Sequence, residues 1–278
     1  MIVYLNGQFV PKAEARISPD DRGFLLADGV YEVTRSYPGG HLFKLDAHLA
    51  RLTRSLDELR IPKPDLDFQH LHETLLKKNN LVGCHATVYL QISRGAAPRQ
   101  HAFPAPGTPS TIYGFAAPFE LSPKNWTDGV RVITAPDLRW ARCDIKSLAL
   151  LPNVLANQQA HEQGAEEALL IRDGAITEGS HTSFCAVFDG TLYTYPDTNY
   201  ILPGITRGVV LDLCHDLNIP VRKFPILTTK LRDADECMIL GTGSEVTPVV
   251  QIDDWQVGTG NPGPITRQLQ EAYFNLHP

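Results

Sequence analysis

No stretch of this chain is long and apolar enough to read as a membrane helix, and its opening residues have neither a basic lead nor a continuous hydrophobic run. Membrane insertion and export are therefore not expected. Positive charge is not in excess either. The 25 Lys and Arg stand against 31 Asp and Glu, a formal net charge of -6, which argues against a nucleic acid held on a basic face. Cysteines are five, at 84, 143, 185, 214 and 237. An odd number without paired metal-type spacing fits neither a disulfide framework nor a zinc site, and a reduced, cytoplasmic setting is the default. The ten histidines contain no His-Glu-x-x-His pattern, so no catalytic metal is expected. Internal repeats and low-complexity segments are absent.

What the chain has is enough apolar residue for one large core or two modest ones, 43% of 278 residues. The pattern is mixed, α+β, and two domains are expected. Strands at residues 1–10, 86–93 and 111–116 with helices near 46–60 and 67–80 make an N-terminal α/β domain over residues 1–117. A Pro-marked connection, Pro118-Phe119-Glu120-Leu121-Ser122-Pro123, supplies a linker at 118–124. The remaining residues, 125–278, hold strands near 130–134, 168–172, 183–188 and 237–240 and helices near 152–163 and 205–217. Clefts between lobes are common ligand sites, and that is where a small-molecule site is expected.

Four segments carry chemistry. In Cys143-Asp144-Ile145-Lys146-Ser147-Leu148 a lone amine enters a mostly apolar run. Partial burial disfavours the ammonium form, and such an amine can attack a carbonyl as a Schiff-base lysine; a solvated lysine at a strand end is the plainer reading. Thr177-Glu178-Gly179-Ser180 follows the strand-like Ala168–Arg172 and the turn Asp173-Gly174, a hairpin that delivers a carboxylate. Glu178 beside a pyridine nitrogen would favour the protonated, electron-poor ring, or it is an ordinary turn residue. In Leu202-Pro203-Gly204-Ile205-Thr206-Arg207 a Pro-Gly turn opens a helix. Free amides there, with the Thr206 hydroxyl, suit a phosphate; Thr206 as a simple capping residue is equally open. Gly241-Thr242-Gly243-Ser244 follows an apolar strand and could wrap a phosphate, though a single Gly-rich loop is a weak signal.

Taken in order, these segments resemble the fold-type IV aminotransferases that use pyridoxal phosphate (PLP), and within them the D-amino-acid aminotransferases. The likeness runs nearly end to end. It takes in Tyr4-Leu5-Asn6-Gly7, Asp20-Asp21-Arg22-Gly23-Phe24, Asp28-Gly29-Val30-Tyr31-Glu32-Val33 and His48-Leu49-Ala50-Arg51-Leu52 before the four segments above. The resemblance implies a two-domain fold with the PLP cleft between the domains and a β-barrel-like core in the C-terminal domain that carries Lys146. It implies that Lys146 is the Schiff-base lysine and proton shuttle and that Glu178 pairs with the ring nitrogen. Arg51, Ile205, Thr206 and Thr242 would hold the phosphate, with Ser180 also at the cofactor, Leu202 on its ring and Arg139 near its phenolic oxygen. A guanidinium suits phosphate by bidentate bonding, though Arg51 also reads as a solvated residue of an amphipathic helix.

In such relatives a loop grips the substrate carboxylate, and Arg99-Gln100-His101 matches it, with Tyr31 as third member. All three side chains can donate to one carboxylate; without the resemblance the stretch reads as an exposed loop. The loop implies a homodimer in which Arg99 and His101 serve the neighbouring subunit. The reaction implied is transamination between a D-amino acid and a 2-oxo acid, of D-alanine or D-glutamate type. Branched-chain L-amino-acid and (R)-amine transaminases and aminodeoxychorismate lyases share the fold. A non-catalytic phosphate-ester binder would not need Lys146 and Glu178 together. The chain departs from the pattern at His181-Thr182 and at Gly243, where small hydroxyl residues are expected, so a bulky imidazole either narrows the pocket or points away.

Overall fold

The computed structural model describes residues 1–277, which divide into two compact units: Met1–Leu121 with Ile145–Ala149, and Ser122–Asp144 with Leu150–His277. The first unit is built on a six-stranded antiparallel sheet. Its strands run in the order Gln8–Pro11, Ile2–Leu5, Thr111–Pro118, Ala86–Ser93, Gly29–Tyr37 and His41–Leu42. Strand Ala86–Ser93 shows why: Ala86, Val88, Leu90 and Ile92 are fully buried at period two, one face of a pleated strand. Leu52 and Leu56 of helix Leu45–Glu58, and Leu71, Leu75 and Leu76 of helix Phe68–Lys78, complete that core. Asp67 caps the second helix by accepting from His70 N at 2.9 Å.

The second unit holds a ten-stranded mixed sheet. Its parallel pairings join Val130–Pro136 to both Glu167–Arg172 and Glu245–Ile252, and Thr191–Thr194 to Val221–Lys223. The Asp173-Gly174 turn joins Glu167–Arg172 to Ala175–Gly179 as an antiparallel hairpin. Both turn residues have positive φ, 52° and 76°, which matches the twist of the flanking strands. Helices Leu151–Glu162, Ile205–Asp216 and Pro264–Phe274 flank this sheet. Among the described residues, no helix is long and apolar enough to cross a membrane.

The domain division differs from the sequence expectation in one respect that bears on the site. The chain crosses from the first unit to the second after Leu121, and Ile145–Ala149, the segment bearing Lys146, groups with the first unit rather than within residues 125–278. Ile145 is 4% exposed within the first core. Ser147 bridges to Val30, Tyr31 N donates to Lys146 O at 3.0 Å, and Leu148 N donates to Gly29 O at 3.0 Å. The lysine's backbone thus satisfies polar groups along strand Gly29–Tyr37.

Candidate active site

In the first unit, Lys146 is half-buried, with Nζ 4.2 Å from the centre of the Tyr31 ring. Ser55 Oγ accepts from Lys146 N at 3.3 Å. Behind them strand Gly29–Tyr37 buries Glu32, only 1% exposed. Arg51 Nε and Nη2 donate to its two oxygens at 2.7 and 2.9 Å, a bidentate fork, and His48 Nδ1 lies 2.8 Å from Oε2. Burial by itself would push the Glu32 carboxyl up, but Arg51, His48 and the Lys146 charge hold it at about 2. Burial pushes His48 down, against the pull of Glu32. Arg51, expected on a phosphate, is therefore buried and also committed to a carboxylate that the sequence reading had not paired with it.

The second unit carries the other candidates. Glu178 sits on Ala175–Gly179 and is buried; Arg139 Nη1 donates to its Oε1, and Leu202 N donates to its oxygens at 3.1 and 3.2 Å. Burial dominates and pushes the carboxyl up to about 7 despite the Arg139 charge, while the charge of Asp137 adds to the rise. Arg139 is shared: its Nε and Nη2 both donate to Asp137 at 2.9 Å. Ile205 and Thr206 open helix Ile205–Asp216, whose N-cap is Gly204, without a side-chain cap bond. Thr206 is therefore not the capping residue, and the N-cap residue supplies no side-chain oxygen to that first turn. Thr242 lies half-buried in the turn between Glu236–Gly241 and Glu245–Ile252.

Ser180 and His181 belong to a turn organised by Glu167, a residue the sequence reading passed over. Glu167 is fully buried and accepts from Ser180 N at 3.0 Å, Ser180 Oγ, His181 N at 3.2 Å and Thr182 Oγ1 at 2.8 Å. The His181 ring, 57% exposed, sets Nδ1 3.0 Å from Glu167. Burial would raise the Glu167 carboxyl, yet His181 and the two hydroxyls hold it at about 2. Asn153 Nδ2 donates to Ser180 O at 2.6 Å and braces the same turn. Arg99 and His101 are exposed on the irregular segment after strand Ala86–Ser93, and Tyr31 stacks on Tyr89 with ring centres 5.7 Å apart.

The model of the family Amino-transferase class IV matches residues 29–252. The chain is a class IV aminotransferase. This aminotransferase is 41% identical to the D-alanine aminotransferase of Staphylococcus haemolyticus over 98% of its length and 96% of that protein's. It is 42% identical to the D-alanine aminotransferase of Bacillus licheniformis, over 99% and 96%. Among solved structures, the branched-chain amino acid aminotransferase of Escherichia coli superposes with a TM-score of 0.90 at 28% identity, covering 99% of this chain and 94% of that one. The mixed α+β architecture with two sheets is thus that of fold-type IV aminotransferases.

Proposed function

We propose that this enzyme moves an amino group between a D-amino acid and a 2-oxo acid, with D-alanine as a substrate and PLP as cofactor. The observation that carries the reading is Glu178, a buried carboxyl pushed up to about 7 by burial, in a chain 41 and 42% identical to two D-alanine aminotransferases. The residues fit the cofactor. The open first turn at Gly204 and the hydroxyl of Thr206 offer donors to a phosphate, a half-buried amine suits an aldehyde, and Glu178 suits a ring N–H. Arg51 and Thr242 join the phosphate set, Ser180 and Leu202 line the cofactor, and Arg139 serves the phenolic oxygen side.

When bound, PLP supplies an electrophilic carbon and an electron-poor ring that makes the substrate's Cα–H bond acidic. With PLP bound, Lys146 Nζ would be the amine that holds the cofactor's aldehyde carbon and, once free of it, the base that would take the substrate's α-proton and give it back. Its own backbone bonds to Gly29–Tyr37 keep the stem fixed while the amine moves. Glu178 keeps a proton on the ring nitrogen. A carboxyl near 7 is poised to share that proton at neutral pH, and Arg139 biases it toward the ionised form. Arg99, His101 and Tyr31 donate to the substrate carboxylate and select the hand of the amino acid. The enzyme acts as a cytoplasmic homodimer with Arg99 and His101 donated to the partner subunit. Its five free thiols suit a reducing compartment. Leu151, Val154 and Leu155, all more than half exposed on one helix face, suit a protein contact.

The test is the visible absorbance of PLP-loaded protein as D-alanine, L-leucine and (R)-1-phenylethylamine are added separately. The expected result is a response to D-alanine alone. A response to L-leucine instead would move the enzyme toward the branched-chain reading that its fold similarity keeps in view, and would remove the role given to Arg99 and His101.

A further inference from the structure

We propose that Arg22 is a positioning residue for substrate-carboxylate recognition: its guanidinium clamps the backbone on both sides of His101 and so sets where Arg99 and His101 stand. The inference rests on the reading of those two residues given above. All of the groups involved lie in the first unit.

The segment carrying Arg99 and His101 is irregular, and loop backbone of this kind holds a fixed geometry only where something fixes it. Its near end is tied by backbone. Arg94 N donates to Asp28 O at 3.0 Å, Arg22 N to Gly95 O at 2.9 Å, and Ala97 N to Asp20 O at 3.2 Å. Gly95 has φ 92°, and a Cβ there would lie 1.9 Å from Pro109 O, so the chain leaves the strand along a path only glycine permits. At the far end the anchor is a side chain. Arg22 Nη1 donates to Gln100 O at 2.7 Å and to Ala102 O at 3.2 Å, the two carbonyls that flank His101.

Arg22 is itself immobilised. It is 3% exposed on the short helix Arg22–Leu26, whose N-cap Asp21 accepts from Gly23 N at 2.8 Å and from Ser93 Oγ at 2.9 Å. Its Nε donates to Asp28 Oδ2 at 2.7 Å, an oxygen that also accepts from Arg94 Nε at 2.8 Å. Arg94 continues to Leu59 O and Arg60 O at 2.7 and 2.9 Å, and its guanidinium lies 3.7 Å from the centre of the Phe103 ring. Two buried guanidiniums thus share one carboxylate, and Arg22 Nη1, like Arg94 Nη1 and Nη2, donates to backbone carbonyls, two of them from the loop. Moving the loop would leave Arg22 N–H groups buried and unsatisfied, so the loop's position is coupled to a costly event. A lysine cannot reproduce the clamp: one compact ammonium lacks the planar fork that reaches Asp28 and two carbonyls together.

The experiment compares Arg22→Lys, Arg99→Ala, Phe103→Ala and the Arg22→Lys/Arg99→Ala double variant in PLP-loaded enzyme. It reads KM and kcat for D-alanine and pyruvate, and separately the rate at which hydroxylamine, which has no carboxylate, discharges the cofactor's visible band. Arg22→Lys is expected to raise KM for both substrates roughly tenfold, as misplacement of a binding group by a fraction of an ångström does, with kcat and the hydroxylamine rate within about twofold. Phe103→Ala, at the exposed rim of the same anchor, shifts KM in the same direction by less. In the Arg99→Ala background the Arg22 effect shrinks to the part carried by His101. If Arg99→Ala raises KM while Arg22→Lys and Phe103→Ala leave it alone, or if they lower kcat and the hydroxylamine rate together with KM, the positioning role is overturned. If Arg99→Ala itself leaves KM unchanged, the carboxylate reading falls instead.

Discussion

Each unit buries one glutamate against an arginine, and the two carboxyls end at opposite extremes: Glu32 is held at about 2 and Glu178 is pushed up to about 7. Burial raises both. The difference lies in how completely the cation is given over. Arg51 turns two nitrogens of its fork to Glu32, His48 adds a third contact and Lys146 adds charge. Arg139 spends two nitrogens on Asp137 and has one for Glu178, and Asp137 adds repulsion. An arginine beside a carboxylate therefore does not fix its protonation state. A shared arginine leaves a buried carboxyl able to hold a proton at neutral pH, as the role proposed for Glu178 requires. Arg51, with two nitrogens on Glu32, keeps that carboxyl ionised.

The contrast between a working group and a scaffold can be tested in descending order of effect. Lys146→Ala should lower kcat by roughly 10³-fold or more, the scale of a lost general acid–base group with its covalent attachment, while PLP affinity persists in equilibrium dialysis. Glu178→Gln should lower kcat roughly hundredfold, the order found when one preorganised electrostatic partner is removed. It should also change the pH dependence of stability in cofactor-free protein. The folded carboxyl binds its proton more tightly than the unfolded one, so Glu178 lowers stability as pH rises from 4.5 to about 7, by on the order of 3 kcal/mol. Urea midpoints of Glu178→Gln should lack that decline. Glu32→Gln should show the reverse. Stability that Glu32 contributes is present above pH 4.5 and lost as pH falls toward about 2, so the variant should be about 3–5 kcal/mol less stable at pH 7, where it strands a buried guanidinium, and should converge with the parent protein near pH 2. His181→Ala should change kcat for D-alanine by less than about twofold, because its ring stands 57% exposed on the rim of the Glu167 turn. A large kcat loss there would put the imidazole at the substrate and end the view that it only supports Glu167.

The local features of both regions were legible in the sequence. The period-two burial of Ala86–Ser93 and the Asp173-Gly174 turn are written in neighbouring residues, and so the hairpin that delivers Glu178 was expected. Strand Gly29–Tyr37 was not read as a strand in its own right, because Glu32, Thr34, Arg35 and Ser36 are all buried in it and the usual alternation of polar and apolar is lost. The pairings that set charge were also out of reach. Glu32 finds Arg51 across 19 residues and Arg139 finds Glu178 across 39. Such partners are chosen by helix docking and by sheet register, not by spacing. Arg22 appeared in a recognisable motif, but what it holds lies 78 and 80 residues further on. The position of Lys146 shows the same limit. Its chemistry could be read from its neighbours, whereas the unit it packs with is decided by Ile145 and Ser147 docking onto a strand more than a hundred residues earlier.

That docking also dictates an order of assembly. Residues 1–121 contain every strand of the antiparallel sheet, and residues 145–149, which bond to strand Gly29–Tyr37, come later in the chain. The first unit is thus completed by a five-residue return of later chain, and the amine arrives with that piece. Dividing the gene at the apparent linker would yield an N-terminal fragment that lacks residues 145–149 and a C-terminal fragment that carries Lys146 away from the unit it packs with.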